Sequence, residues 1–189
     1  MSSGRLRRWR RAYRDARGVL PLYDARLRLT RPHLAIRWWL VEQRTLRWAR
    51  KAVGAPITAR VTVILPTYKR GDLLLRAVDS VLRQTFSDFH VLVIDDGGGD
   101  VPPLPDDPRV TVLRLPANVG HLGVINNVGI QLTRSPYIAL LNDDNEWRPE
   151  HLEVSVPALD AGADLVYTAM TRVTEDGEVL DVLAEPYDR

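Results

Sequence analysis

The segment Tyr137 to Trp147, YIALLNDDNEW, constrains this chain most, because an apolar run breaks off without a spacer into Asn142, Asp143, Asp144 and Asn145. A run as short as Ile138 to Leu141 cannot present a helical face. It reads as a strand covered on both sides, as in a parallel sheet held between helices. Such sheets bind ligands beyond the carboxyl ends of their strands. The carboxylates of Asp143 and Asp144 would sit there, and Mg2+ and Mn2+ take carboxylate oxygens together with substrate phosphates. The segment therefore reads as a metal-diphosphate site, against the alternative of a polar turn that caps the next helix and binds nothing.

Two earlier strands end in the same way. VTVIL, Val61 to Leu65, stops at Pro66 and leads through Thr67, Tyr68, Lys69, Arg70 and Gly71 into a helix whose Leu74, Val78, Val81 and Leu82 share one face. HVLVI, His90 to Ile94, ends in Asp95, Asp96, Gly97, Gly98 and Gly99. Tyr68 offers a ring on which a base can stack, Asp95 or Asp96 can accept from a base or ribose, and glycine lets backbone approach a ligand closely. A common Asp-Gly turn and a ring covering the sheet edge are the non-functional readings.

A third strand, Val110 to Leu115, precedes ANVGHLGVINNVGI. Gly120 and Gly123 there look like a dinucleotide fingerprint, but the third glycine is misplaced. Asn126 and Asn127 read as contacts to a nucleotide sugar, as groups that orient the strand-end carboxylates, or as solvated helix positions. Beyond the acidic segment come a helix from Glu150 to Ala161 that Pro157 should bend, a strand from Leu165 to Val173, a turn at Glu175, Asp176 and Gly177, and a strand at Val179 to Leu183.

The first third of the chain is chemically different. Residues 1–60 hold 16 basic residues against 3 acidic, a charge of +13, and the remainder holds 10 against 21, or −11, so the net +2 describes neither part. Residues 1–53 read as helical segments broken at Pro21 and Pro32, containing Trp9, Trp38, Trp39 and Trp48. Leu34, Trp38, Val41, Thr45 and Trp48 approximate one stripe, which suits either an anionic membrane surface or docking on the chain's own domain. A nucleic-acid partner rests on charge alone. Gly54 to Pro56 forms a linker, giving a basic helical extension at 1–56 and a second domain at 57–189. With no Cys, thiolate nucleophiles, disulfides and Cys-type zinc sites are excluded. No apolar run approaches the ~20 residues that cross a bilayer, so the expected location is cytoplasmic, or peripheral at the inner face of the membrane.

Taken together, VTVILPTYKR, SVLRQTFSDFHVLVIDDGG and YIALLNDDNEWRPEHL resemble the family 2 inverting glycosyltransferases of the GT-A fold, over roughly residues 60–187. The resemblance implies an α/β, Rossmann-like, mostly parallel sheet flanked by helices. It also implies sugar transfer from a nucleoside diphosphate sugar, UDP-sugars being the expected donors, to a carbohydrate or lipid-linked acceptor hydroxyl with a divalent ion, Mn2+ or Mg2+. Carried over, Pro66, Thr67 and Tyr68 match the loop around the base, and Asp96 matches the carboxylate contacting it, with Asp95 its neighbour. In the family's Asp-x-Asp region Asp144 would bind the metal and Asp143 the ribose or sugar side, with Asn127 assigned to the donor.

The pattern departs in places. Asn142 and Asn145 stand where many relatives carry Asp, and Gly98 and Gly99 where Ser and Thr are usual. The acceptor-binding half that supplies the catalytic base is expected to be missing, and nothing selects among Glu175, Asp176, Glu178 and Asp181. The alternative function is a catalytically silent protein that holds a nucleotide sugar or a partner.

Overall fold

The computed structural model describes residues 32–174 and 176–184; the expectations resting on Trp9 and Glu175 lie outside the described residues. In chain order the elements are α1 (Pro32–Val53), β1 (Val61–Thr67), α2 (Gly71–Leu82), β2 (Phe89–Asp95), β3 (Val110–Arg114), α3 (Leu122–Gln131), β4 (Tyr137–Leu140), α4 (His151–Asp160), β5 (Met170–Val173) and β6 (Val179–Leu183). Strands β1 to β4 form one parallel sheet in the order β3-β2-β1-β4, while β5 and β6 make a separate antiparallel hairpin. No described helix is long and apolar enough to cross a membrane.

Two-residue alternation builds a core on each face of the sheet. Val61, Val63 and Leu65 of β1 and Val91 and Val93 of β2 pack with Leu74, Ala77, Val78 and Val81 of α2 and Leu152 and Val156 of α4. Ile64, Leu92 and Ile94 point the other way, onto Val124, Ile125 and Val128 of α3 and Leu46 and Ala49 of α1. Thr62, fully buried on this side, shares hydroxyl hydrogen bonds with Thr133 and Ser135, each at 2.7 Å, so its polarity is satisfied. Trp38 and Val41 of the basic extension also pack against this second core.

Close packing of α3 on β1 needs Gly129. A Cβ there would lie 2.8 Å from Cγ2 and 3.0 Å from Cδ1 of Ile64, which is itself fully buried. Overpacking of this kind costs about 1–3 kcal/mol, against about 1 kcal/mol gained from the better helix propensity of alanine. Gly129→Ala should therefore lose up to about 2 kcal/mol in urea unfolding; a stabilised variant would show that α3 has slack.

Three details differ from the sequence reading. Strand β1 does not stop before Pro66: its pairing with β2 continues to Thr67 opposite Asp95, while its pairing with β4 ends near Ile64. Ile64 accepts from Leu141 on the β4 side and Thr67 accepts from Asp96 on the β2 side. By alternation Pro66 faces the side where β4 has already ended, so its missing N–H costs no ladder bond. Among the described residues strand β4 is an edge strand and only half-covered, with Leu140 54% exposed. Finally, residues 165–169 are not strand, because β5 pairs only from Met170 opposite Leu183 and the register of β6 reaches no further.

Candidate functional site

Parallel register delivers the strand ends to one rim. With Thr67 opposite Asp95, and Leu141 donating to Ile64, the residues after β1, β2 and β4 emerge side by side. The strand order turns back between β1 and β4, the position at which open α/β sheets bind ligands. A cleft of about 450 Å³ lies there, walled by Pro66, Thr67, Tyr68, Asp96, Asp143 and Asp144, with Asn118, His121 and Arg70 on its margin. Ligand pockets commonly occupy about 300–1,000 Å³.

The two adjacent carboxylates after β4 have different surroundings. Asp143 is buried, its Oδ2 accepting from Thr67 Oγ1 at 2.8 Å and its Oδ1 from Arg70 Nη1 at 3.3 Å. The Asp144 side chain is 46% exposed, and its Oδ2 accepts from the same Arg70 nitrogen at 2.9 Å. One guanidinium nitrogen thus bridges both acids. Lys69, just before Arg70, holds a left-handed backbone with φ of 55°, uncommon for a residue with a side chain. Its Nζ lies 5.3 Å from the centre of the Tyr68 ring, which is 42% exposed at the cleft.

The acidic pair after β2 divides its work. Asp96 lines the cleft and accepts from the backbone N–H of Val119 at 2.7 Å and of Gly120 at 2.9 Å, tying the end of β2 to the loop before α3. Asp95 does not reach the cleft wall; it accepts from the N–H of Gly98 at 2.7 Å and of Gly99 at 3.0 Å, closing the glycine turn. Asn127 is also away from the wall, its amide donating to Glu42 of α1 at 2.9 Å.

Several neighbours escaped the sequence reading. Arg70 carried a signal, a cation directly after a strand-end loop, but its partners stand more than 70 residues away in the chain. Asn118, His121 and Leu122 reach the wall through the loop that Asp96 holds. His121 caps α3 by accepting from the N–H of Val124 at 3.2 Å, and its ring lies 4.4 Å from Trp38. Trp147 stacks on His151 at 4.2 Å, and burial pushes the His151 ring below the usual histidine range.

The donor set limits what cation these residues fit. Among the described residues no group of three or more His, Asp or Glu side chains is arranged to hold a metal. Asp143 and Asp144 nonetheless offer hard carboxylate oxygens to the cleft, and Arg70 shows that a positive charge is accommodated between them. This suits a Mg2+-like ion that takes one or two carboxylates and completes its shell with water and substrate phosphates, not a cage built by protein alone.

Residues 62–183 match the family model described as Glycosyl transferase family 2, and the chain belongs to that family. The succinoglycan biosynthesis protein ExoO of Rhizobium meliloti is 34% identical over 131 residues, covering 66% of this chain and 37% of ExoO. ExoW of the same organism, also named for succinoglycan biosynthesis, is 37% identical over 130 residues, covering 62% and 36%. The chain spans little more than a third of either relative's length. The crystal structure of S. aureus TarS 1-349 in complex with UDP-GlcNAc aligns over 62% of this chain and 41% of that one, with 18% identity and a TM-score of 0.48.

Proposed function

We propose that this chain is the donor-binding part of a glycosyltransferase that moves a sugar from a nucleoside diphosphate sugar, a UDP-sugar by preference, to an acceptor hydroxyl with inversion. The observation that carries the proposal is the meeting of Tyr68, Asp96, Asp143 and Asp144 in one cleft at the reversal of strand order. Family membership and relatives named for succinoglycan biosynthesis support it.

In this reading Tyr68 stacks on the base, with Pro66 and Thr67 shaping the loop beneath it. Each carboxylate oxygen of Asp96 has a further lone pair beside its backbone bond, so it can accept from the base while still holding the loop. Asp143, fixed by Thr67, accepts from the ribose or sugar side. Asp144 and Asp143 would hold a divalent cation, Mn2+ or Mg2+, which when bound supplies Lewis-acid stabilisation of charge on the leaving diphosphate. Asp95 contributes through the glycine turn, and Asn127 through Glu42 of α1. Asp176, Glu178 and Asp181 do not line the cleft, Asp181 being paired with Arg172, so no base is assigned to them.

A panel of nucleoside diphosphate sugars, screened by thermal shift with and without Mn2+, tests the reading. A ligand at 100 times its Kd stabilises by about 2.7 kcal/mol, or about 5–10 °C for a chain of this size. A UDP-sugar should give such a shift with Mn2+ and a smaller one without. Absence of a shift with every donor would overturn the proposal, and binding with no release of UDP when acceptor is added would leave donor binding while removing transfer.

A further inference from the structure

Helix α1 is amphipathic toward its own domain and again toward the outside. Its inner side is spent on the second core through Leu46 and Ala49, with Trp38 and Val41 packed alongside. Its outer side carries Ile36, Trp39 and Leu40, which are 58%, 59% and 54% exposed and stand at the one-turn spacing of a single helical face. Continuing along the same outer side are the exposed cations Arg44, Arg47, Arg50 and Lys51. The one acid of the helix, Glu42, is engaged with Asn127 and Gln131 of α3, at 2.9 and 3.0 Å. The exposed side therefore presents one indole ring and two branched side chains next to a cationic stretch that meets no carboxylate among the described residues.

We infer that the outer face of α1 docks on an anionic lipid bilayer. An interfacial helix combines a shallow apolar ridge that enters the acyl boundary, tryptophan at that boundary, and Lys or Arg whose long stems lift the charge to the headgroups. All three occur on this face. A nucleic acid would satisfy the cations and leave Ile36, Trp39 and Leu40 against a polar backbone. A folded protein partner of ordinary interface composition, depleted in Asp and Glu, would have too few carboxylates to pair with four cations. The same helix reaches the cleft margin, where Trp38 lies 4.4 Å from His121, so a docked chain holds that cleft beside the membrane. The inference goes beyond donor binding and does not depend on it.

Co-sedimentation of the full chain with vesicles, phosphatidylcholine alone or with phosphatidylglycerol added, provides the test. The chain should partition onto the anionic vesicles and lose that partition as salt rises. The triple variant Ile36→Ser, Trp39→Ser, Leu40→Ser should partition at least tenfold less, and Leu40→Ser alone should show a smaller fall. Circular dichroism of the variants confirms the helix, since all three positions are exposed. Equal partition of wild type and triple variant would overturn the inference, because charge elsewhere would then account for binding. So would displacement from the vesicles by an RNA oligonucleotide that binds wild type and triple variant alike.

Discussion

Asp144→Ala is expected to lower the affinity for a UDP-sugar in Mn2+ about 100-fold or more, while the free protein melts within about 4 °C of wild type. The two halves of this result have separate physical causes. Among the described residues the Asp144 carboxylate meets Arg70 alone, with the two side chains 46% and 51% exposed. Exposed pairs of this kind are worth between nothing and about 1 kcal/mol. The fold therefore does not need Asp144. A bound cation does, since removal even of groups one shell further out commonly costs about 10–100-fold in metal affinity, and among the described residues the carboxylates that meet Arg70 in the cleft are Asp143 and Asp144. Asp143→Ala should behave differently, because that acid is buried and takes the Thr67 hydroxyl at 2.8 Å. Stranding a buried donor costs about 1–3 kcal/mol, so stability and donor binding fall together. Isothermal titration alongside thermal melts separates the two variants; an Asp144→Ala chain that binds donor as wild type does would remove the metal role from this residue.

The second large effect is structural. Gly97→Ala should destabilise the chain by about 2–5 kcal/mol, combining left-handed strain and a backbone clash. Gly97 has φ of 74°, and a Cβ there would sit 2.5 Å from the carbonyl carbon of Ala117 and from the nitrogen of Asn118. Neither is the end of a flexible side chain, so the loop before α3 must move as a whole. Asp96 beside it anchors that loop through Val119 and Gly120, which means the cleft wall shifts along with it. Donor binding should drop even at temperatures where the variant is folded. Gly99→Ala is the matched control: φ is 75° there too, but nothing lies within 4 Å of the added carbon. Its cost should stay at the strain alone, about 1–2 kcal/mol. Equal losses in urea unfolding for both variants would show that the Gly97 contact is not tight.

The fold was largely legible because its signals are local. Runs such as VTVIL and HVLVI, with apolar side chains for both faces, mark strands covered by helices, and the face of α2 reads directly from Leu74, Val78 and Val81. The convergence of Tyr68, Asp96 and Asp144 follows from such strands lying parallel, since parallel order brings like ends together. What each acid touches was not legible. Asp95 and Asp96 are neighbours of the same type, yet one closes its own turn and the other reaches a loop more than 20 residues on. Arg70 meets Asp143 and Asp144 only because β1 and β4 are adjacent, a fact of strand order that no local pattern contains. The exposure of β4 has the same origin. Its residues are as apolar as those of β1, but an edge strand has a neighbour on one side only.

In the proposed site the cation and the diphosphate are held jointly, each completing the other's coordination. Electron paramagnetic resonance of free Mn2+ in the presence of the full chain measures this directly, in titrations with and without UDP. With no group of three or more ligating side chains among the described residues, the chain alone should retain Mn2+ weakly, and UDP should tighten retention at least tenfold in wild type but not in Asp144→Ala. Retention unchanged by UDP, or preserved in Asp144→Ala, would contradict it.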